Sequence, residues 1–448
     1  MGRLKMKGHH SAVLCFKRER IVKSSFLLIL FLFILSVIIT PTYAKEKDME
    51  LRLVQVLFRH GARNPIDPYP ADPYKDESFW PEGFSQLTKI GKQQHYALGK
   101  YFRVRYNNFL NSSYSPYEIY VQASDVDRTL MSAEVDLAGL YPPNSGEVWN
   151  DKIQWQPIPV HTKPLNSDNI VRMSAPCPKL QRLIDAFNQG PEMSQIYNEN
   201  RELFEYLEKN AGKPIRTLQD VDYLYDDLFI ENLHNYSLPD WTKKVFPGNA
   251  FLNLTALSFK VITWNAEMKR LKAGPLVKEL VSHFHEKSIG SEKMDHRRKL
   301  FMYSGHDTTV ASLLNSLGMY NDIPPPYACA VMLELYRNIS SGSHSVKIFY
   351  RNDTKSDPYL LTLPGCNSSC PLDSFMELTQ SVIPLNWESE CESGFLGLNG
   401  ISLAALILGS FFSVLLIVSM LAVALAKRKK MNNPAYPYLH LQMEDEDA

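Results

Sequence analysis

LRLVQVLFRHGARNP, Leu51–Pro65, decides the fold. LRLVQVLF (Leu51–Phe58) has the short, mostly apolar pattern of a buried β-strand, and it runs directly into Arg59, His60 and Arg63. Two permanent cations therefore crowd one imidazole where a strand ends. Two further stretches repeat the arrangement. EIYVQAS (Glu118–Ser124) is a second strand, leading into SDVDRTLMSAEVDLAGLY. There Ser124 or Asp125 is placed to cap a helix carrying Leu130, Met131, Val135 and Leu137. KLFMYS (Lys299–Ser304) is a third strand, followed by GHDTTVASLLNSLG, a helix closed by Gly318.

Strands alternating with helices predict an α/β fold with a mostly parallel central sheet flanked by helices. In such sheets ligands gather beyond the carboxyl ends of the strands. The three junctions bring Arg59, His60 and Arg63, then Arg128, then His306 and Asp307 to that rim. From Asp151 to about Arg298 the pattern turns helical, in PKLQRLIDAFNQ, in residues 192–210 and in residues 251–274. This region reads as a smaller, mainly helical insertion (about 151–298) in a core spanning about 45–150 and 299–392. VMLELYRN and VKIFYRN read as a closing hairpin.

Three guanidiniums sharing one pocket call for an anion, because unpaired buried cations are costly. Phosphate fits the fork of Arg donors. Cationic clamps of this kind are worth ~10³ to 10⁵ in phosphoryl-transfer rate. The cations also lower the pKa of His60, which keeps its ring neutral and nucleophilic in acid. Asp307 is placed to protonate a leaving alkoxide and then to activate water. Each residue has a duller reading: surface ion pairs for Arg59 and Arg63, an Asp125 or Asp127 partner for Arg128, a carbonyl-bonded core histidine for His60, a helix cap for Asp307. HFHE (His283–Glu286) reads as a solvated helix face. No phosphate-loop GxxxxGK[ST] and no GxSxG is present.

The 448 residues carry 48 basic and 48 acidic side chains, so no basic surface for nucleic acid is expected. Basic residues, the apolar run Phe26–Ile39 and the small residue Ala44 predict a signal peptide over 1–44. Residues 401–426 are uncharged, long enough to span a bilayer, and followed by KRKK. The expected topology is type I: a lumenal domain (45–395), one span (401–426) and a cytosolic tail (427–448). Six sequons, at Asn111, Asn235, Asn253, Asn338, Asn352 and Asn367, fall on the lumenal side. Five cysteines follow the signal peptide, an odd number, and Cys366 and Cys370 close a tight local loop. In the tail, NPAY (Asn433–Tyr436) and YPYL (Tyr436–Leu439) are similar to sorting signals read by cytosolic adaptors.

The motifs Arg59-His60-Gly61-Ala62-Arg63-Asn64-Pro65, SDVDRTLMSAE with Arg128, and MYSGHDTTV with His306-Asp307 resemble the histidine acid phosphatase family, over roughly Glu50–Cys391. Within it the chain is most similar to the lysosomal and prostatic type. The resemblance implies that His60 is the nucleophile and becomes phosphohistidine. Arg59, Arg63, Arg128 and His306 would bind phosphate and Asp307 would donate the proton, with no metal and no cofactor. It implies disulfides Cys177–Cys391 and Cys366–Cys370. Cys329 is expected unpaired, because the position of its family partner holds Ile230. It further implies phosphate monoester substrates and a homodimer, and the tail motifs point to a lysosomal or endosomal membrane or the cell surface. The competing functions are a phytase-like polyphosphate phosphatase and a non-catalytic glycosylated receptor on the same fold.

Overall fold

The computed structural model describes residues 48–353, 356–392 and 400–431. The signal-peptide reading and both tail motifs lie outside them. Among the described residues seven strands form one sheet: β1 (Met49–Arg59), β2 (Ile119–Ala123), β3 (Leu300–Gly305), β4 (Ala330–Asn338), β5 (His344–Arg351), β6 (Tyr359–Leu361) and β7 (Cys370–Pro371). The order is β2-β3-β1-β4-β5-β6, with β7 paired to β5.

The α/β class holds, but the sheet is mixed rather than mostly parallel. β1 and β2 flank β3 in parallel, whereas β4 to β7 pair antiparallel. The reason is connection length: Ile339–Ser343 between β4 and β5 is too short for a crossover and forces a hairpin. The parallel half is what matters for the site. Arg59 lies beside Gly305, and Ala123 beside Ser304, so three carboxyl ends share one rim.

β1 is buried on both faces. Leu53 and Leu57 pack with Tyr303 and Val331, under the helices Gly274–Ile289, Asp307–Ser316 and Leu372–Thr379. Val54, Val56 and Phe58 pack with Met302 and Met332, against the helices Lys89–Arg105 and Asp127–Leu140. Burying each such side chain contributes about 1.5–3 kcal/mol. The latter two helices touch through glycines: a Cβ on Gly99 would lie 1.9 Å from the Asp136 carbonyl oxygen. This changes the expected face of Asp127–Leu140. Thr129, Ser132, Ala133 and Asp136 are buried, whereas Leu130, Met131 and Val135 are only partly so. Its N-cap is Val126 with no side-chain cap bond, not Ser124 or Asp125.

Helices follow from Pro178 to Ile289. Residues 192–210 are two helices, Pro191–Glu199 and Arg201–Ala211, joined at the non-helical Asn200. Residues 251–274 likewise break, because the Asn265 side chain accepts from Met268 N and starts a new helix. Leu218–Leu233 is a further helix, opened by a Thr217–Asp220 capping box. HFHE is not a solvated face throughout: His283 stacks on Phe301 at 3.8 Å and bonds Gln55 Oε1 at 2.9 Å.

Contacts divide the chain into two units, the body and a second unit of Cys177–Lys179 with the chain from Asn386 onward. The second contains the disulfide Cys177–Cys391 and the helix Gly400–Met431. Within that helix, Ala405–Lys429 is long and apolar enough to cross a bilayer. In the body, Cys366 and Cys370 are bridged and Cys329 is a buried thiol. None of the six sequon asparagines is buried.

Candidate active site

The rim of β1, β3 and β2 opens into a cavity of about 560 Å³. Arg59, His60, Arg63, Arg128, His306 and Asp307 all line it, so the sequence-predicted residues meet in one place.

The loop carrying His60 is fixed by its backbone. His60 N donates to Gly305 O at 3.1 Å, and Ala328 N to His60 O at 3.2 Å. Gly61 is required by a close approach: a Cβ there would lie 2.5 Å from Gly91 O, at the start of the helix Lys89–Arg105. Thr88 caps that helix through Gly91 N and donates to Ala62 O. The helix thus clamps the RHGAR turn.

His60 Nδ1 lies 2.8 Å from Gly61 O. A carbonyl only accepts, so Nδ1 carries the proton and Nε2 keeps its lone pair. Arg128 Nε donates to Nε2 at 3.1 Å, and Arg128 Nη1 to Ser85 Oγ at 2.7 Å. Neither Asp125 nor Asp127 is its partner in an ion pair among the described residues. Burial, then Arg128, Arg59, His306 and Arg63, hold the His60 pKa well below the usual histidine value. His306 stands edge-on to His60, centroids 5.5 Å apart, and is fixed by Ser124 Oγ at 2.8 Å. Its pKa is also low, through burial and then Arg172 and Arg128. Both shifts favour the neutral form of the imidazoles that face the cavity.

Arg59 and Arg63 are buried, not surface ion pairs. Arg59 binds Asp307 Oδ2 at 2.7 Å and Pro325 O at 2.6 Å, and lies 4.0 Å over the Tyr327 ring. Arg63 binds Asp226 Oδ2 at 2.8 Å. Among the described residues neither Arg59 Nε nor Arg63 Nε finds an acceptor. Such buried donors suit an incoming anion. Burial and the Arg63 and Arg172 cations pull the Arg128 pKa down to about 10, so it stays charged in acid. Asp307 opens the helix Asp307–Ser316, and its Oδ1 accepts from Thr308 N at 2.7 Å. Burial raises its pKa, yet Arg59, Arg63 and that amide outweigh burial and leave it below the usual carboxylate value.

Asp222, Asp226, Arg172, Lys272 and Tyr327 belong to the surroundings without having been singled out from the sequence. Asp222 and Asp226 sit on Leu218–Leu233, whose capping box and apolar Leu218, Val221, Leu224 and Leu228 were signals for a helix. Nothing local marked its acids as pocket residues. Farther along, Glu231 is buried beside Asp72, and its pKa rises to about 8 through burial and then the Asp72 charge. Between the unfolded value near 4.5 and about 8, the folded state therefore holds a proton that the unfolded chain has released. That stability is complete below the lower value and is lost as pH rises through the upper one. Glu231→Gln, a neutral mimic, should gain relative to the parent as pH rises. We expect the difference in Tm, variant minus parent, to increase by ~3 °C or more between pH 5 and pH 8 in thermal unfolding.

Comparison with known proteins gives a consistent result. The profile of the histidine phosphatase superfamily (branch 2) matches residues 50–351. Bovine prostatic acid phosphatase is 43% identical over 346 residues, covering 76% of this chain and 88% of that protein. Human lysosomal acid phosphatase is 40% identical over 360 residues, covering 80% and 82%. The Xenopus laevis lysosomal acid phosphatase is 34% identical over 417 residues, covering 92% and 94%. Among solved structures, Hafnia alvei phytase in complex with tartrate superposes with a TM-score of 0.59 at 17% identity, covering 77% of this chain and 98% of that one. At that identity the likeness speaks for the fold alone.

Proposed function

The chain belongs to branch 2 of the histidine phosphatase superfamily, and from that premise we propose that it cleaves phosphate monoesters in acid through a phosphohistidine at His60 Nε2. It is an acid phosphatase. The observation that carries the mechanism is the Gly61 carbonyl on His60 Nδ1, which leaves Nε2 as the attacking atom. Arg59, Arg63 and Arg128 hold the phosphoryl oxygens, and His306 lines the same pocket as a further donor. Asp307 serves the leaving oxygen and then water. On this reading the segment 1–44 exports the body to the lumen. Ala405–Lys429 anchors it, with Lys427–Lys430 toward the cytosol. Adaptors read the tail and route the chain, as a homodimer, to lysosomal or endosomal membranes or the cell surface.

The test is hydrolysis of 4-nitrophenyl phosphate by the detergent-solubilised chain, followed against pH with and without chelator. The monoester dianion takes up a proton near pH ~6, so the rate should be highest below that value and indifferent to chelator. A requirement for divalent metal, or a rate that climbs above neutrality, would overturn the reading.

A further inference from the structure

The pocket holds more positive charge than one phosphate needs. Five cationic side chains line it: Arg59, Arg63, Arg128, Arg172 and Lys272. Three carboxyl groups face them. Asp307 is committed to Arg59 and Asp226 to Arg63. Asp222 is half-buried, and desolvation and then Asp307 and Asp226 push its pKa well up, which favours its neutral form. Arg128 is turned onto His60 and Ser85. Arg172 and Lys272 remain, and neither has a carboxylate partner among the described residues.

Both are held in place rather than loose. Asp168 is fully buried, and its carboxylate accepts from Ile170 N at 2.9 Å and from Val171 N and Arg172 N at 2.8 Å each. Thr309, in the helix that begins at Asp307, donates to Val171 O at 2.7 Å. The Arg172 backbone is thereby tied to the helix that carries Asp307. Met173 follows in the left-handed region, φ 54°, which a branched or long side chain seldom adopts without cause. Its carbonyl accepts from Lys272 Nζ at 2.9 Å. An ammonium has three donors, so two remain for the cavity. Burial and Arg172 lower the Lys272 pKa to about 8, which leaves it charged in an acidic medium.

We infer that Arg172 and Lys272 form a second anion subsite beside the phosphoryl site, selecting phosphate monoesters whose alcohol part carries another anionic group. The inference rests on the reading of this pocket as a phosphatase site. Its physical basis is that two half-buried like charges, held together by backbone anchors and lacking a carboxylate, are stabilised when an anion enters between them. The shared chemistry is a carboxylate or a second phosphate, and the substrates below separate the two.

The experiment uses the full chain in detergent at pH 5 with three substrates of one carbon skeleton: propyl phosphate, 3-phosphonooxypropanoate and propane-1,3-diyl bisphosphate. We expect kcat/KM for at least one of the two doubly anionic esters to exceed that for propyl phosphate by about tenfold, mostly through KM, since each tenfold step corresponds to about 1.4 kcal/mol. Preference for the propanoate alone assigns the subsite to carboxylate, and for the bisphosphate alone to phosphate. Arg172→Met with Lys272→Met should remove the preference, and Lys272→Arg should retain most of it. Equal hydrolysis of all three by the parent chain overturns the inference while leaving the phosphatase reading intact, whatever the variants do. A double variant that loses all three substrates in the same proportion, with Tm unchanged, also overturns it, because the pair then acts on the scissile phosphate. Failure of the parent chain to hydrolyse any of the three overturns both.

Discussion

His60→Ala is expected to lower kcat for 4-nitrophenyl phosphate on the order of 10⁴-fold or more. The expected loss is large because the substitution deletes a route rather than weakening a contact. In the proposed route His60 Nε2 bonds to phosphorus as the ester oxygen leaves, and water later breaks the N–P bond. Without the ring, water must attack a bound ester directly. Arg59 and Arg63 keep their places through Asp307 and Asp226, and Arg128 loses its bond to His60 Nε2 but keeps Ser85. The variant should therefore still bind inorganic phosphate within about threefold of the parent. In the parent chain, acid quenching of a ³²P-labelled ester followed by digestion should yield label that is acid-labile and stable to alkali, mapped to the peptide containing His60. An acid-stable label on another side chain would refute the assignment. The lowered His60 pKa adds a pH arm. A histidine of ordinary pKa would become protonated and inactive as pH falls through about 6.5. Here the lowered pKa favours the neutral ring, so loss of nucleophile should set in at a lower pH than for an ordinary histidine.

What the sequence disclosed and what it concealed divide along the range of the interactions. The three strand ends were legible because strand and helix periodicity are local, and a cation directly after an apolar run is visible in one dimension. The glycine of RHGAR was visible as a letter, but its cause, the Gly91 carbonyl that would lie 2.5 Å from a Cβ, belongs to another element. The antiparallel half of the sheet was only partly read, because the hairpin announced itself through its short connection while β4 beside β1 did not. The partners of the cations were hidden altogether. Arg63 meets an aspartate 163 positions away, and Arg59 a carbonyl 266 positions away. Ser85, which orients Arg128, sits at φ 67° in a segment without periodicity. Arg172 and Lys272 carried no motif, since a lone cation in a loop or at a helix end looks like a solvated one. The exposed reading of Arg59 and Arg63 failed for a related reason: burial of a guanidinium depends on a carboxylate that only the fold supplies.

Asp307→Asn is expected to slow hydrolysis by ~10²- to 10⁴-fold for alkyl phosphates and much less in the first step for aryl ones. With Arg59 as its partner, Asp307 favours its ionised form. It is ion-paired with Arg59 at 2.7 Å, and its pKa lies below the usual carboxylate value. Burial is nevertheless the largest single influence on it, and burial acts upward. A phosphate that draws Arg59 and Arg63 onto its own oxygens removes the two cations that offset burial, so the Asp307 pKa must rise as substrate binds. A monoester bound as its monoanion brings the proton with it. Asp307 can then hold that proton and pass it to the leaving oxygen. An alkoxide needs this transfer and 4-nitrophenolate does not, hence the dependence on leaving group. Once the alcohol has left, the carboxylate can take a proton from water attacking the phosphohistidine, and asparagine cannot. With 4-nitrophenyl phosphate the variant should therefore release a burst of nitrophenol approaching one equivalent per site, followed by slow turnover and accumulation of phosphoenzyme. Uniform slowing of aryl and alkyl esters without a burst would show that Asp307 acts by holding Arg59 in place and moves no proton.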